Sequence, residues 1–188
     1  MSTRLVIFGP PGAGKGTQAE KLATDLNIPT ISTGDLFRSH MSEGSELGHL
    51  AASYISRGAL VPDEVTVGML RERLEAKDVH NGFLLDGFPR TLAQIDSLDD
   101  LLGEEGLSAV IELQVPDEEL VDRLVKRGAE SGRSDDTEDV IRNRLAVYHE
   151  QTAPVADKYR QRGQLITIDG TGSIDEIATR IREAVSRL

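Results

Sequence analysis

Hydrophobic residues along the chain fall into short unbroken runs, separated by longer segments in which they recur every three or four positions. The unbroken runs predict strands buried on both faces, at residues 4–8, 29–32, 83–86, 110–115 and 164–168. The periodic segments predict helices, at residues 16–25, 34–38, 46–56, 63–76, 91–102, 117–128, 138–162 and 174–185. Because strands and helices alternate, we expect an α/β fold, a three-layer parallel sheet with helices on both faces.

The longest predicted helix, at residues 138–162, contains a proline at position 154. Proline has no backbone N–H and its ring clashes with the preceding turn. We therefore expect a kink or a restart of the helix at Pro154. The short segment at residues 128–136, just before this helix, is polar and contains two glycines. This composition predicts a loop.

A glycine-rich loop follows the first predicted strand: residues 9–18 read Gly-Pro-Pro-Gly-Ala-Gly-Lys-Gly-Thr-Gln. Glycines let the backbone N–H groups converge on one anion, and the helix that follows presents its positive end to the same place. With Lys15 as a point charge, the loop is better explained as a phosphate-binding P-loop than as an ordinary turn. The fold is then like that of P-loop nucleoside triphosphate hydrolases. Gly16 stands where a hydroxyl residue normally ligates magnesium, so we do not expect Thr17 to ligate the metal directly.

Asp86 and Arg90 lie at the end of the third predicted strand. Since the carboxyl ends of parallel strands meet at one edge of the sheet, Asp86 is placed beside the phosphate loop, where it can hold Mg²⁺ directly or through water. The alternative is an aspartate that only caps the turn. Arg90 follows a proline that stiffens the turn, and its planar guanidinium suits a transferring phosphoryl group.

Six arginines stand out in a chain that is otherwise acidic: Arg38, Arg90, Arg123, Arg127, Arg133 and Arg144. Arg123 and Arg127 are four positions apart, hence on one face of their helix, and Arg133 lies inside the glycine-flanked segment at 128–136. Arginines on such a flap are suited to closing over phosphate chains and excluding water. The alternative is an ordinary solvated loop.

Composition narrows the class of protein. The 188 residues suit one globular domain, and no run of 18 apolar residues predicts a membrane span. A net charge of −11 argues against a nucleic-acid partner, because the field would repel a polyanion. With no cysteine in the chain, we expect neither disulfides nor a thiolate zinc site, and with no signal peptide we expect a cytoplasmic protein.

Several motifs in a fixed order now resemble one family, the adenylate kinases, from Arg4 to the C-terminus. They are GPPGAGKGTQ at 9–18, ISTGDLFR at 31–38, LVPDE at 60–64, DGFPRT at 86–91 with Gln94, VDR at 121–123, IRNRL at 141–145, Tyr148, TAP at 152–154 and DGT at 169–171. The resemblance implies reversible, Mg²⁺-dependent transfer of a phosphoryl group from ATP to AMP, giving two ADP. It also implies a monomer with an AMP-binding flap at 32–61 and a short lid at 127–137, without zinc.

The resemblance also assigns residues. Those implied to bind ATP are Gly12, Ala13, Gly14, Lys15, Gly16, Thr17, Arg123, Arg127 and Gly172. Those implied to bind AMP are Thr33, Arg38, Ala59, Leu60, Val61, Gly87, Phe88, Pro89, Arg90, Gln94, Arg133 and Arg144. Catalysis is implied for Lys15, Arg90, Arg127, Arg133 and Arg144, and Mg²⁺ binding through water for Asp86.

Three alternatives differ in function. A UMP/CMP kinase keeps the chemistry, but Thr33 and Gln94 favour adenine, because a glutamine amide offers a paired donor and acceptor to its edge. A nucleotide switch or ATPase module is a different class of protein. A GTPase would carry an Asn-Lys-x-Asp run that recognises guanine, and this sequence contains no such run. An inert nucleotide-binding protein is disfavoured by the intact set of Lys15, Asp86 and Arg90.

Overall fold

A parallel sheet forms the centre of the molecule. The structure is a computed structural model that describes residues 2–188. Over this range the sheet has five strands in the order β2-β3-β1-β4-β5, and every neighbouring pair is parallel. The strands are β1 (Thr3–Phe8), β2 (Thr30–Ser32), β3 (Gly82–Asp86), β4 (Ala109–Gln114) and β5 (Leu165–Asp169). The predicted α/β architecture is confirmed.

Helices connect the strands and cover both faces of the sheet. They are α1 (Lys15–Leu26), α2 (Thr33–Glu43), α3 (Glu46–Ile55), α4 (Asp63–Leu74), α5 (Leu92–Leu102), α6 (Asp117–Ser131), α7 (Glu138–Val147), α8 (Ala153–Gln161) and α9 (Ile174–Val185). Among the helices of residues 2–188, none combines the length and the apolar character that crossing a bilayer requires.

The side chains of β1 alternate between two hydrophobic clusters on opposite faces of the sheet. Leu5 and Ile7 join the cluster built with α1, α6, α7 and α9. Val6 and Phe8 join the cluster built with α4, α5 and α8. All four side chains are at most 4% exposed. This double burial explains why the strand is an unbroken apolar run rather than an alternating one.

Helices α2 and α3 form a small unit between β2 and α4. A third hydrophobic cluster, of Phe37, Ala51, Val61 and Met69, packs beneath their contact. Gly48 lets the two helices meet, because a Cβ added there would lie 2.0 Å from the carbonyl oxygen of His40. This unit lies within the segment predicted as a flap, and it packs against Met69 of α4 through this cluster.

Two predicted helix ends differ from the structure by three residues or more. Helix α2 continues to Glu43 and ends at Gly44, which adopts a left-handed conformation. Helix α6 runs to Ser131 and ends at Gly132, so the prediction of a loop from residue 128 is wrong. The restart predicted at Pro154 is confirmed: a π-helical turn at Tyr148–Thr152 separates α7 from α8, and the proline lies in the first turn of α8.

Candidate active site

A cavity of about 410 Å³ opens at the carboxyl ends of the strands. Phe8 at the end of β1 and Asp86 at the end of β3 both form part of its wall. Strand β1 lies between β3 and β4, so the connections that leave the central strands diverge to opposite faces of the sheet. Such a crevice is where open α/β sheets bind ligands.

Most residues predicted for the site line this one cavity. They are Gly12, Gly14, Lys15, Gly16, Thr17, Thr33, Arg38, Ala59, Leu60, Val61, Asp86, Gly87, Phe88, Pro89, Arg90, Gln94, Arg123, Arg127, Arg133 and Arg144. Within residues 2–188, Ala13 and Gly172 are the predicted site residues outside the lining. Ala13 is 1% exposed and packs in the core, while Gly172 lies against the side chains of Glu176 and Arg180.

The glycine-rich loop has the backbone that a phosphate cradle needs. Gly12 and Gly14 have φ angles of +84° and +88°, a conformation that side chains other than glycine adopt at a cost. Gly14 is also the N-cap of α1 and gives that helix no side-chain cap. The first N–H groups of α1 therefore remain available to an anion, with the helix dipole favouring negative charge.

Lys15 is the first residue of α1 and forms part of the cavity lining. Its Nζ donates to the carbonyl oxygen of Pro10 at 3.1 Å. Burial lowers the pKa of Lys15 to about 8, an effect that the charge of Asp86 opposes and that nearby arginines reinforce. The cavity lining holds Lys15 and six arginines against three aspartates, Asp35, Asp86 and Asp135, and a polyanionic ligand would neutralise this excess of positive charge.

Asp86 lies close to the start of α1, since a Cβ added at Gly16 would be 3.9 Å from its Oδ2. Residues 2–188 contain no cluster of three or more metal-ligating side chains. A Mg²⁺ ion commonly takes only one or two carboxylates and completes its octahedron with phosphates and water. One carboxylate beside a phosphate cradle fits that ion, and Asp86 is the residue that would hold it.

The turn after β3 aims Arg90 at the cavity. The carbonyl oxygen of Gly87 accepts from Arg90 Nε at 2.7 Å and from Thr33 Oγ1 at 3.0 Å. Gly87 has a φ of +88°, and a Cβ there would be 2.6 Å from the Thr33 hydroxyl oxygen. Burial lowers the pKa of Arg90, although Asp86 opposes the shift. The bond from Nε holds the guanidinium against this turn, and the bond from Thr33 holds the carbonyl group that accepts it.

Arginines and two aspartates form a cluster over the other side of the cavity. Arg127 donates to both oxygens of Asp136, at 2.6 and 2.7 Å, and Arg144 donates to the same carboxylate at 2.7 Å. Arg133 donates to both oxygens of Asp135, at 3.0 and 2.7 Å. The cluster brings together three arginines that the sequence places up to 17 positions apart.

The aspartates of this cluster were not predicted as site residues. Both are only 6% exposed. Burial raises the pKa of Asp135, but hydrogen bonds from Arg133 and the charge of Arg144 outweigh it and lower the value to about 2. Burial likewise lowers the pKa of Arg144 to about 10. Adjacent aspartates within an arginine-rich segment were the signal available in the sequence.

Arg123 ties the phosphate loop to the loop after β5. Its Nη1 lies 3.5 Å from the carbonyl oxygen of Gly12, and its Nη2 donates to the carbonyl oxygen of Gly170 at 3.2 Å. Arg123 also pairs with Glu119, one turn earlier in α6. All six arginines that stand out in the sequence line this cavity.

The chain is similar to known proteins over nearly its whole length. The family model described as "Adenylate kinase" matches residues 7–164. An adenylate kinase from Kocuria rhizophila is 53% identical over 187 residues, which cover 98% of this chain and 100% of that protein. One from Thermobifida fusca is 53% identical over 184 residues, covering 97% of each chain. One from Streptomyces coelicolor is 46% identical over 214 aligned positions, covering 98% of this chain and 99% of that protein.

Proposed function

The chain belongs to the adenylate kinase family, and we propose that it transfers the γ-phosphoryl group of ATP to AMP, reversibly giving two ADP. It is a nucleoside monophosphate kinase by that membership. The observation that carries the proposal is a single cavity lined by a phosphate loop, Asp86 and six arginines. Two polyanions must be aligned against their mutual repulsion, and this concentration of positive charge does so.

The reaction needs no general base. The acceptor is a phosphate monoester whose second pKa is about 6, so it is mostly dianionic at neutral pH and already nucleophilic. An oxygen of the acceptor phosphate forms a bond to the γ-phosphorus, and the bond to the leaving β-phosphate oxygen breaks, with the two oxygens in line. The protein contributes positioning and charge stabilisation.

The donor phosphates are assigned to the glycine-rich loop and the start of α1. The unfilled N–H groups at Gly14–Thr17, together with Lys15, would hold the β- and γ-phosphates. Arg123 and Arg127 lie on α6 across the cavity and would cover them. Gly172, which does not line the cavity, is assigned to ATP by the family resemblance, through the backbone of the loop after β5.

The acceptor nucleotide is assigned to the other end of the cavity. Thr33, Arg38, residues 59–61, residues 87–90 and Gln94 lie in the wall there. Arg90 would contact the acceptor phosphate and the transferring group, because within residues 2–188 only Nε of its guanidinium makes a hydrogen bond, which leaves both Nη groups for a ligand. Arg133 and Arg144 would bridge the two nucleotides.

Magnesium is proposed as the cofactor, with Asp86 holding it through water. When bound, the ion neutralises charge that develops on the phosphate oxygens. Removal of divalent cations with a chelator is expected to abolish turnover, and added Mg²⁺ to restore it. Activity that persists in excess chelator would contradict this part of the proposal.

We also propose that segment 32–61 moves as an acceptor-side flap and segment 127–137 as a short donor-side lid. Phe37 of α2, Ala51 of α3 and Val61 share a hydrophobic cluster with Met69 of α4. This cluster is distinct from the two on the faces of the sheet, which supports motion of the segment as a unit. The flap already contacts α7, the helix that follows the lid, since a Cβ at Gly58 would be 2.9 Å from Arg144 Cγ. Closure would exclude water from the transfer.

A cytoplasmic monomer is proposed as the form of the protein. The large hydrophobic side chains that are exposed are distributed over different elements rather than gathered in one patch. They are Leu50, Leu92, Val125, Ile174 and Leu188. The chain contains no cysteine, which suits a reducing compartment.

The test is a coupled assay of ADP formation from ATP and AMP, CMP or UMP. We expect AMP to be the best acceptor, and equal or better turnover with CMP or UMP would favour a pyrimidine kinase. Lys15→Ala and Arg90→Ala should each reduce turnover by roughly 10³-fold or more. Lys21→Ala, on the same helix as Lys15, and Arg71→Ala, an exposed arginine of α4, are matched controls. A loss below tenfold in both site variants would refute the assignment.

A further inference from the structure

The side-chain amide of Gln94 is held at both ends. Its Oε1 accepts from the backbone N–H of Arg90 at 2.7 Å, and its Nε2 donates to Asp63 Oδ1 at 2.7 Å. Gln94 is only 2% exposed, yet it forms part of the cavity wall. Asp63 is not among the residues that line the cavity in the described chain. Asp63 therefore acts on the cavity through Gln94.

The two partners of Gln94 allow one orientation of the amide. A backbone N–H can only donate, so the group facing Arg90 must be the amide oxygen. An ionised carboxylate can only accept, so the group facing Asp63 must be the amide NH₂. Asp63 is the first residue of α4, whose N-cap, Pro62, provides no side-chain cap.

With both bonds made, Gln94 has one oxygen lone pair and one N–H left for a ligand. Adenine presents an amino donor at N6 and an acceptor at N1, which this pair satisfies. A 6-oxopurine presents the reverse, an acceptor at O6 and a donor at N1. The same amide turned over would suit the 6-oxopurine instead.

We propose that Asp63 is a specificity-determining positioning residue of the acceptor site, which fixes the Gln94 amide so that adenine is accepted and a 6-oxopurine is rejected. The inference rests on the proposed placement of AMP beside Gln94. Its content is separate, because it concerns which purine is chosen rather than whether a nucleotide binds there.

The test compares AMP with inosine monophosphate as acceptor in Asp63→Asn. An asparagine amide presents either an oxygen or an NH₂ to Gln94, so the Gln94 amide can turn over. We expect the ratio of kcat/KM for AMP to that for inosine monophosphate to fall by about ten- to a hundredfold. The KM for ATP should stay unchanged. Glu64→Gln, the exposed neighbour on the same turn, is the matched control and should keep the wild-type ratio.

Asp63→Ser is a second variant, since a hydroxyl also both donates and accepts, and it serves if Asp63→Asn does not fold. An unchanged ratio in the folded variant, with any loss shared equally by both acceptors, would overturn the proposal and leave Asp63 with a structural role. Gln94→Ala separates the two levels. If it leaves the KM for AMP unchanged, the placement of AMP itself is wrong, and the inference falls with it.

Discussion

Replacing Asp136 with asparagine tests the arginine–aspartate cluster most sharply. The Asp136 side chain is 0% exposed and accepts three hydrogen bonds, two from Arg127 and one from Arg144. Asparagine has nearly the same volume, so the change leaves no cavity. It removes the negative charge and places an NH₂ where one of these oxygens now accepts. At least one arginine donor then faces another donor.

The expected loss of stability follows from the burial of the partners. Removing one member of a buried ion pair costs about 3–5 kcal/mol. The Arg127 and Arg144 side chains are 36% and 17% exposed, so both recover some hydration from the cavity, and the low end, about 3 kcal/mol, applies. For a domain of this size that corresponds to a fall in Tm of about 6–12 °C.

Thermal unfolding followed by circular dichroism, without nucleotide, measures this change. Asp139→Asn, three positions later and exposed on the first turn of α7, is the matched control and should leave Tm within about 1 °C. A shift of less than 2 °C in Asp136→Asn would refute the reasoning. It would mean that the arginines find equivalent partners without the carboxylate.

Three further predictions concern pH and packing. Because the pKa of Lys15 is lowered to about 8 by burial, the kcat/KM for ATP, which reports the free enzyme, should fall as pH rises through about 8; a flat profile to pH 10 would contradict it. The folded-state pKa of Asp135 lies below its usual value, at about 2, so its stabilisation is present above about pH 4 and lost towards pH 2. Asp135→Asn should therefore lower Tm at pH 7 and flatten the acid side of the stability profile, and an unchanged profile would count against it. Gly48→Ala should lower Tm by at least about 6 °C, because its Cβ would meet the His40 carbonyl at 2.0 Å, whereas Gly68→Ala, with open space around it, should raise Tm slightly.

The layers of the fold were predictable because each relies on a local pattern. Unbroken apolar runs identified the strands, and Pro154 identified the restart between α7 and α8. The loop predicted from Gly128 failed because tertiary packing overrides local preference. A Cβ at Gly128 would lie 2.7 Å from the Asp136 carbonyl oxygen, so this glycine serves a close approach rather than the end of a helix.

The site was predictable as a set of residue types but not as a network. Lys15 and Arg90 stand out by their motifs, and the structure places both in one cavity. The partners that orient the site residues are distant in sequence: Gln94 and Asp63 are 31 positions apart, and Arg127 and Asp136 are nine apart. No periodicity or motif connects such pairs, because only the folded chain brings them together.

Phosphorus-31 NMR of the purified protein supplied with ADP and Mg²⁺ tests the central claim most directly. If two nucleotides lie together in the cavity and exchange a phosphoryl group, the ADP signals should be replaced by those of ATP and AMP in equal amounts until equilibrium is reached. Conversion of ADP to AMP and inorganic phosphate, or no conversion at all, would contradict transfer between two bound nucleotides.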